Sequence, residues 1–273
     1  MAIREAESRD GTVIVYRATG PAGARPLVLL HGWASNLQCW GAAADALAER
    51  FRVVAVDLRG HGYSGAPAAG YDDPANWAAD VAAVLAAEGI AGNAVLLGWS
   101  YGGLVLTDYL AEHGTSAVAG VIYAGAITGI GRDIPGGRNG ERMEAAIPGV
   151  FEESPGRAVR AFTLFGDANT GARRDAGVDA QRLFGASLAT PPRVRKALFV
   201  RTRDNDATLR KIDVPALVLH GVDDPIVDIA AARYAAETIP GAATSFWPGA
   251  KHAPFIEDPA RFVAEITDFV DAI

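Results

Sequence analysis

A serine between glycines, five histidines and a pair of adjacent aspartates have the types and spacing for nucleophilic chemistry in this chain. Ser100 lies in Leu97-Gly98-Trp99-Ser100-Tyr101-Gly102-Gly103, a G-x-S-x-G run between an apolar strand-like stretch and an apolar helical one. A strand that turns directly into a helix strains the residue at the turn, and a β-carbon two positions to either side would collide. Gly98 and Gly102 remove those carbons, and Gly103 lets the helix pack close to the strand. The hydroxyl then stands above the carboxyl edge of a sheet, where wound α/β sheets bind their ligands. Elsewhere the same letters could be a glycine-rich turn with a bystander serine; the strand–turn–helix setting favours a nucleophile.

A serine hydroxyl is a weak nucleophile without a base, most often histidine. His31 and His220 end apolar runs, His61 sits in a Gly60-His61-Gly62 turn, and His113 lies near the end of the helix after Ser100. All four are more simply structural. His252 lies in the loop Pro248-Gly-Ala-Lys-His-Ala-Pro254, after a short strand and before the last helix, where it can swing over the nucleophile. A carboxylate must orient the imidazole and stabilise its cation. The strand at 216–220 runs into Gly221-Val222-Asp223-Asp224-Pro225, and two adjacent aspartates cannot both aim at one ring. Loop solvation fits one of them, and the turn alone does not choose. Charge developing on a substrate oxygen calls for backbone N–H donors, and the elbow supplies one from Tyr101.

These residues need a frame. Short runs at 27–30, 53–56, 95–97, 118–123 and 217–219 are apolar on both faces, as in a parallel sheet covered on both sides. Helical stretches at 75–88 and 104–113 fall between them, the alternation of a wound α/β fold. An Asp10-Gly11 turn before residues 12–19 predicts an antiparallel hairpin at the start. Asp73-Pro74 and Asp258-Pro259 pair an N-cap acid with proline at the first helical position. The last helix should bury Phe262, Val263, Ile266, Phe269 and Val270. Residues 128–211 break the alternation with glycine-rich loops and helical stretches, one beginning at Pro191-Pro192. The fold expected is α/β: a mostly parallel wound sheet of about eight strands flanked by helices, with a helical cap inserted after the sixth strand. Residues 1–127 and 212–273 form the core and 128–211 the cap. Phe151, Phe162, Leu164, Phe165, Leu183, Phe184 and Leu188 should pack that cap onto the sheet and wall a mainly apolar pocket.

Composition sets limits. At 273 residues, half of them apolar, the chain can bury a substantial α/β core. One cysteine, Cys39, excludes an internal disulfide and a cysteine metal cluster. The formal charge of −7 argues against a nucleic-acid groove. Its distribution is uneven: residues 128–211 carry 15 basic and 10 acidic side chains. The first ten residues alternate charges where a signal peptide needs an apolar run, and the long uncharged stretches contain glycines and polar residues. No membrane contact and a cytoplasmic location are expected; the oligomeric state is open.

The order Ser100, Asp, His252, with His31-Gly32-Trp33, Asp57-Leu-Arg-Gly-His-Gly-Tyr-Ser64, 98–103, Gly221-x-x-Asp224 and Lys251-His252-Ala-Pro254, resembles the α/β-hydrolase fold superfamily. In detail it resembles the lidded serine esterase and cofactor-free haloperoxidase-like branch, over nearly the whole chain. The resemblance implies that Asp224 rather than Asp223 is the acid, and that the Trp33 N–H joins Tyr101 in an oxyanion hole. It implies no catalytic role for Asp57 or His61, and neither metal nor organic cofactor. Trp99 departs from the histidine that many relatives carry there, with an effect expected on packing rather than chemistry. Ser100 excludes the dehalogenase and epoxide-hydrolase chemistries, which use aspartate at that position. The activity implied is cleavage of a small-to-medium carboxylic ester through an acyl-enzyme, with peracid formation as a side activity when peroxide replaces water. Carbon–carbon bond hydrolases and lactonases share the same triad and lid, and some relatives on this scaffold are non-catalytic ligand receptors.

Overall fold

The computed structural model describes residues 3–273. Its eight strands are β1 (Arg4–Glu7), β2 (Val13–Thr19), β3 (Pro26–Leu30), β4 (Arg52–Val56), β5 (Ala94–Trp99), β6 (Val118–Ala124), β7 (Ala216–Gly221) and β8 (Ala243–Trp247). They form one sheet in the order β1-β2-β4-β3-β5-β6-β7-β8. β2 runs antiparallel to β1 and to β4, and every other pairing is parallel. The hairpin forms at the Asp10-Gly11 turn, where Gly11 takes a φ of 78° that an L side chain rarely adopts.

Alternate residues of each central strand feed two opposite cores. Val28, Leu96, Val121 and Val218 pack beneath α2 (Pro74–Ala87) and α3 (Tyr101–His113). Leu29, Leu97, Ile122 and Leu217 face the other way, towards α1 (Gly41–Leu47) and the terminal helix. Burial on both faces is what the continuous apolar runs require. The Asp73 carboxylate accepts from the Ala75 N–H at 3.0 Å and starts α2. Asp258 does the same for the terminal helix, accepting from the Arg261 N–H at 3.0 Å. Among the described residues, no helix is long and apolar enough to cross a membrane.

Between β6 and β7 the chain leaves the sheet. It forms α4 (Glu141–Val150), α5 (Pro155–Thr163), a short turn at Gly166–Asn169, α6 (Gly177–Ala189), α7 (Pro192–Val200) and α8 (Asp206–Leu209). Its extended contacts are isolated bridges, Ile130 with Arg203 and Asn139 with Val227, so the strand pattern is indeed interrupted here. Phe162 and Leu183 are buried, whereas Leu164 and Leu188 are exposed: they fall on the outer faces of their helices, against the expectation that they help pack this segment inward. After β7 come α9 (Ile229–Thr238), β8, α10 (Pro254–Glu257) and α11 (Pro259–Asp271). On α11, Phe262, Ile266 and Val270 are buried, while Val263 and Phe269 are half-buried.

The segment is pinned to the core by a charge cluster. Arg201, after α7, donates to Asp108 of α3 at 2.7 Å and to the Tyr101 hydroxyl at 3.3 Å, with all three side chains buried.

Candidate active site

The serine turn follows from its glycines. Ser100 is in the left-handed region, with φ 55° and ψ −122°, a conformation that costs a non-glycine residue about 1–3 kcal/mol. A β-carbon on Gly102 would lie 2.1 Å from the Leu30 carbonyl oxygen, and one on Gly98 would lie 2.5 Å from the Gly102 carbonyl oxygen. The turn is fixed by the Ser100 N–H donating to Ala124 and the Ser100 carbonyl accepting from Ile127. α3 starts at once, so Ser100 stands at a helix N-terminus, where the first N–H groups lack partners within the helix.

His252 lies on the loop between β8 and α10, and its backbone is held at both ends. Its N–H donates to the Ala168 carbonyl at 2.9 Å, and its own carbonyl accepts from the Trp99 indole N–H at 2.8 Å. Trp99 therefore does more than pack behind the elbow: it ties the residue before the serine to the histidine loop.

The ring is set by Asp224, whose Oδ2 lies 2.8 Å from His252 Nδ1. Asp224 Oδ1 accepts from the Ile226 and Val227 N–H groups at 2.8 and 3.1 Å. Burial alone would raise this carboxyl's pKa, but the imidazoles of His252 and His220 hold it well below the usual carboxylate range. An ionised carboxylate facing Nδ1 requires a proton there, which leaves Nε2 with its lone pair free to act as a base. Asp223 is exposed and accepts only from the Gly249 N–H, so the geometry separates the two aspartates.

His220 was expected to be structural, and it also touches the acid. Its Nε2 donates to the Val227 carbonyl at 2.9 Å and lies 3.2 Å from Asp224 Oδ2. The four-residue spacing of His220 and Asp224 across the turn after β7 was the available signal.

The loop after β3 stands against Ser100. A β-carbon on Gly32 would come 2.9 Å from Ser100 Cβ, so only glycine fits between them. Trp33 follows and lines the space over Ser100, with its indole N–H donating to the Arg195 carbonyl at 3.0 Å. Ala34 holds a φ of 51°, and its N–H donates to His61 Nε2 at 3.2 Å. The Leu37 N–H donates to Asp57 Oδ1 at 2.6 Å, and the Leu58 N–H to His31 Nε2 at 3.0 Å. Asp57, His31 and His61 are thus the scaffold of this loop. Burial lowers the His61 pKa to about 4 and holds that of His31 well below its ordinary value, which keeps both rings neutral and able to accept.

Three cavities meet here. A space of about 50 Å³ over Ser100 is lined by Trp33, Ser100, Trp99 and His252. It shares Phe165, Asn169, Leu183 and Ser187 with a chamber of about 380 Å³ among α5, the Gly166–Asn169 turn and α6. On the other side it shares Trp33, Ser100, Met143 and Ile226 with a cavity of about 440 Å³ beside Tyr101. Asp224 stands behind His252. Of the residues singled out from the sequence, Ser100, His252 and Trp33 line the small space, Asp224 pairs with His252, and Tyr101 follows the serine, with Gly98 and Gly102 shaping the turn. A buried hydroxyl beside an imidazole oriented by a carboxylate, at the start of a helix, has the makings of nucleophilic acyl transfer. Among the described residues no group of three or more His, Cys, Asp or Glu side chains could hold a metal ion.

Known proteins resemble this chain over almost its whole length. The family model described as "Alpha/beta hydrolase family" matches residues 27–265. A non-heme haloperoxidase of Rhodococcus erythropolis is 31% identical over 96% of this chain and 97% of its own length. A pimeloyl-[acyl-carrier protein] methyl ester esterase of Sodalis glossinidius is 33% identical over 94% and 97% of the two chains. The crystal structure of an esterase, RhEst1, from Rhodococcus sp. ECU1013 superposes with a TM-score of 0.98 at 57% identity, covering 100% of this chain and 99% of that one. The chain belongs to the α/β-hydrolase family, in its esterase and haloperoxidase-like branch.

Proposed function

We propose that this protein is a serine hydrolase that cleaves small-to-medium carboxylic esters through an acyl-enzyme. The observation that carries the reading is the Asp224–His252 pair, 2.8 Å apart, sharing a cavity with a serine held at positive φ. His252 Nε2 takes the Ser100 proton as Oγ attacks the ester carbonyl carbon. The carbonyl oxygen becomes an oxyanion facing the Trp33 and Tyr101 N–H groups, and Asp224 stabilises the imidazolium. His252 then gives the proton to the departing alkoxide oxygen. Water, deprotonated by the same ring, attacks the acyl-enzyme, and the acid leaves as Ser100 recovers its proton. Hydrogen peroxide in place of that water would yield a peracid, and the similarity to a haloperoxidase supports this side reaction. The helices between β6 and β7 act as the lid of the site in this reading, because they wall the cavity that Ser100 opens into.

The test is turnover of p-nitrophenyl esters together with covalent labelling by a serine-directed phosphonate. Wild type should turn over and label once per chain. Ser100→Ala should do neither while melting at a similar temperature. Stoichiometric labelling of the alanine variant would dismiss the assignment.

A further inference from the structure

The two chambers that flank Ser100 can be matched to the two halves of an ester, an inference that rests on the hydrolase reading above. A tetrahedral intermediate on Ser100 Oγ has three other substituents: the oxyanion, the acyl chain and the alkoxy oxygen. The oxyanion is fixed by the N–H groups of Trp33 and Tyr101. The alkoxy oxygen must receive its proton from His252 Nε2, so it has to lie on the histidine side of the carbon. The acyl chain takes the direction that remains.

The cavities differ in the corresponding way. His252 lines the small space over Ser100. That space abuts the 380 Å³ chamber through Asn169, the neighbour of Ala168, whose carbonyl holds the His252 N–H. Neither large chamber has His252 or Asp224 among its walls, but the 440 Å³ cavity touches Ser100, Trp33 and Tyr101 directly, whereas the 380 Å³ chamber reaches Ser100 only through the small space that His252 lines. We infer that the leaving alcohol occupies the chamber between α5 and α6, and that the acyl group lies in the cavity beside Tyr101.

The walls then state the substrate class. The alcohol chamber is built from Phe162, Phe165, Leu183 and Phe184, and it selects an apolar, aryl-sized alcohol. The acyl cavity carries Ile147 and Phe199 with Asn139 and Arg132 among its walls, so it is the more polar of the two and suits an acyl chain with a polar terminus. This divides the expected apolar pocket in two, with the more apolar part assigned to the half of the substrate that leaves first.

Acyl-enzyme kinetics separate the halves, because the alcohol has departed before deacylation. Ala180, on α6, lines the alcohol chamber, and Ile147, on α4, lines the acyl cavity. Ala180→Phe fills the first chamber. It should lower kcat/KM for phenylethyl acetate relative to ethyl acetate by about tenfold or more, a usual effect of an overfilled apolar site. Acetyl-enzyme hydrolysis, followed by rapid mixing with p-nitrophenyl acetate, should keep its rate. Ile147→Phe should instead change the hydrolysis rate of a hexanoyl-enzyme and leave the alcohol ranking intact. Phe184→Ala and Ile147→Ala, which open the same chambers, should shift the same two readouts in the opposite direction and stand in where a filled variant does not fold. A changed acetyl-enzyme lifetime with an unchanged alcohol ranking in the Ala180 or Phe184 variant would reverse the assignment. Unaltered rankings in all four variants would remove it. Failure of the hydrolase reading itself looks different: wild type would give no burst with any ester and no label on Ser100, and the chamber assignment would fall with it.

Discussion

Replacing Asp224 by asparagine tests the site at its most constrained atom. The carboxylate accepts on both oxygens: Oδ1 from the Ile226 and Val227 N–H groups, Oδ2 from His252 and, at 3.2 Å, from His220. An amide has only one oxygen. Its least costly orientation keeps that oxygen on the two backbone donors and turns the NH₂ towards the imidazoles. His252 Nδ1 must then become the acceptor, which moves the ring proton to Nε2 and removes the base. His220 cannot adapt in the same way, because its Nε2 proton is needed by the Val227 carbonyl. Loss of the correct tautomer in such triads costs about 10⁴ in kcat, or about 5 kcal/mol of transition-state stabilisation. Asp223→Asn removes charge from an exposed group bonded to one N–H, and its kcat should stay within about twofold of wild type. The assay is p-nitrophenyl acetate hydrolysis at pH 8, with circular dichroism and melting temperature as controls for folding. An Asp224→Asn enzyme keeping a tenth of wild-type kcat, or a larger loss in the Asp223 variant, would refute the assignment of the acid.

Trp99→Phe keeps the ring but removes the N–H that holds the His252 carbonyl, and kcat should fall by about tenfold with KM little changed; steady-state kinetics decide, and a change in KM alone would contradict the positioning role. Stability should fall with acid through the buried histidines. His61 titrates near 4 when folded and near 6.5 when unfolded, so the unfolded chain binds the extra proton between those values. Its contribution is complete above pH 6.5 and is lost as pH falls towards 4, about 3 kcal/mol in all, with His31 acting in the same direction. Urea unfolding of wild type and His61→Gln across that range measures this, and the variant should have the shallower pH slope.

The sheet was legible because its central strands are apolar on both faces, a pattern few other structures demand. The elbow was legible because three glycines within six residues, Gly98, Gly102 and Gly103, have a steric reason to be there. The choice between Asp223 and Asp224 was not available from spacing; it came from resemblance, and the structure separates them by burial and by the N–H groups of residues 226 and 227. The role of His220 was only hinted at by its four-residue spacing from Asp224, because the sequence does not state the path of the turn between them. The inward and outward faces of α5 and α6 were equally obscure: Leu164 and Leu188 are as apolar as Leu183, and which of them meets the site depends on packing between distant helices.

Of the bonds that tie the segment between β6 and β7 to the loops around Ser100, three hold His252, Trp33 and Ala34. The Ala168 carbonyl takes the His252 N–H, the Arg195 carbonyl takes the Trp33 indole N–H, and the Ser187 hydroxyl donates to the Ala34 carbonyl. In two of them the segment contributes only a backbone carbonyl, which any amino acid provides. Its side chains can therefore be rewritten for a new substrate while the histidine and the loop after β3 stay in register, provided the helices keep their length and path. Excision is another matter. Removing the segment would unfasten both loops at once, so chemistry and selectivity would disappear together. Laboratory evolution of this scaffold should accordingly find new specificities through substitutions in these helices, and lose function through insertions and deletions near residues 168 and 195.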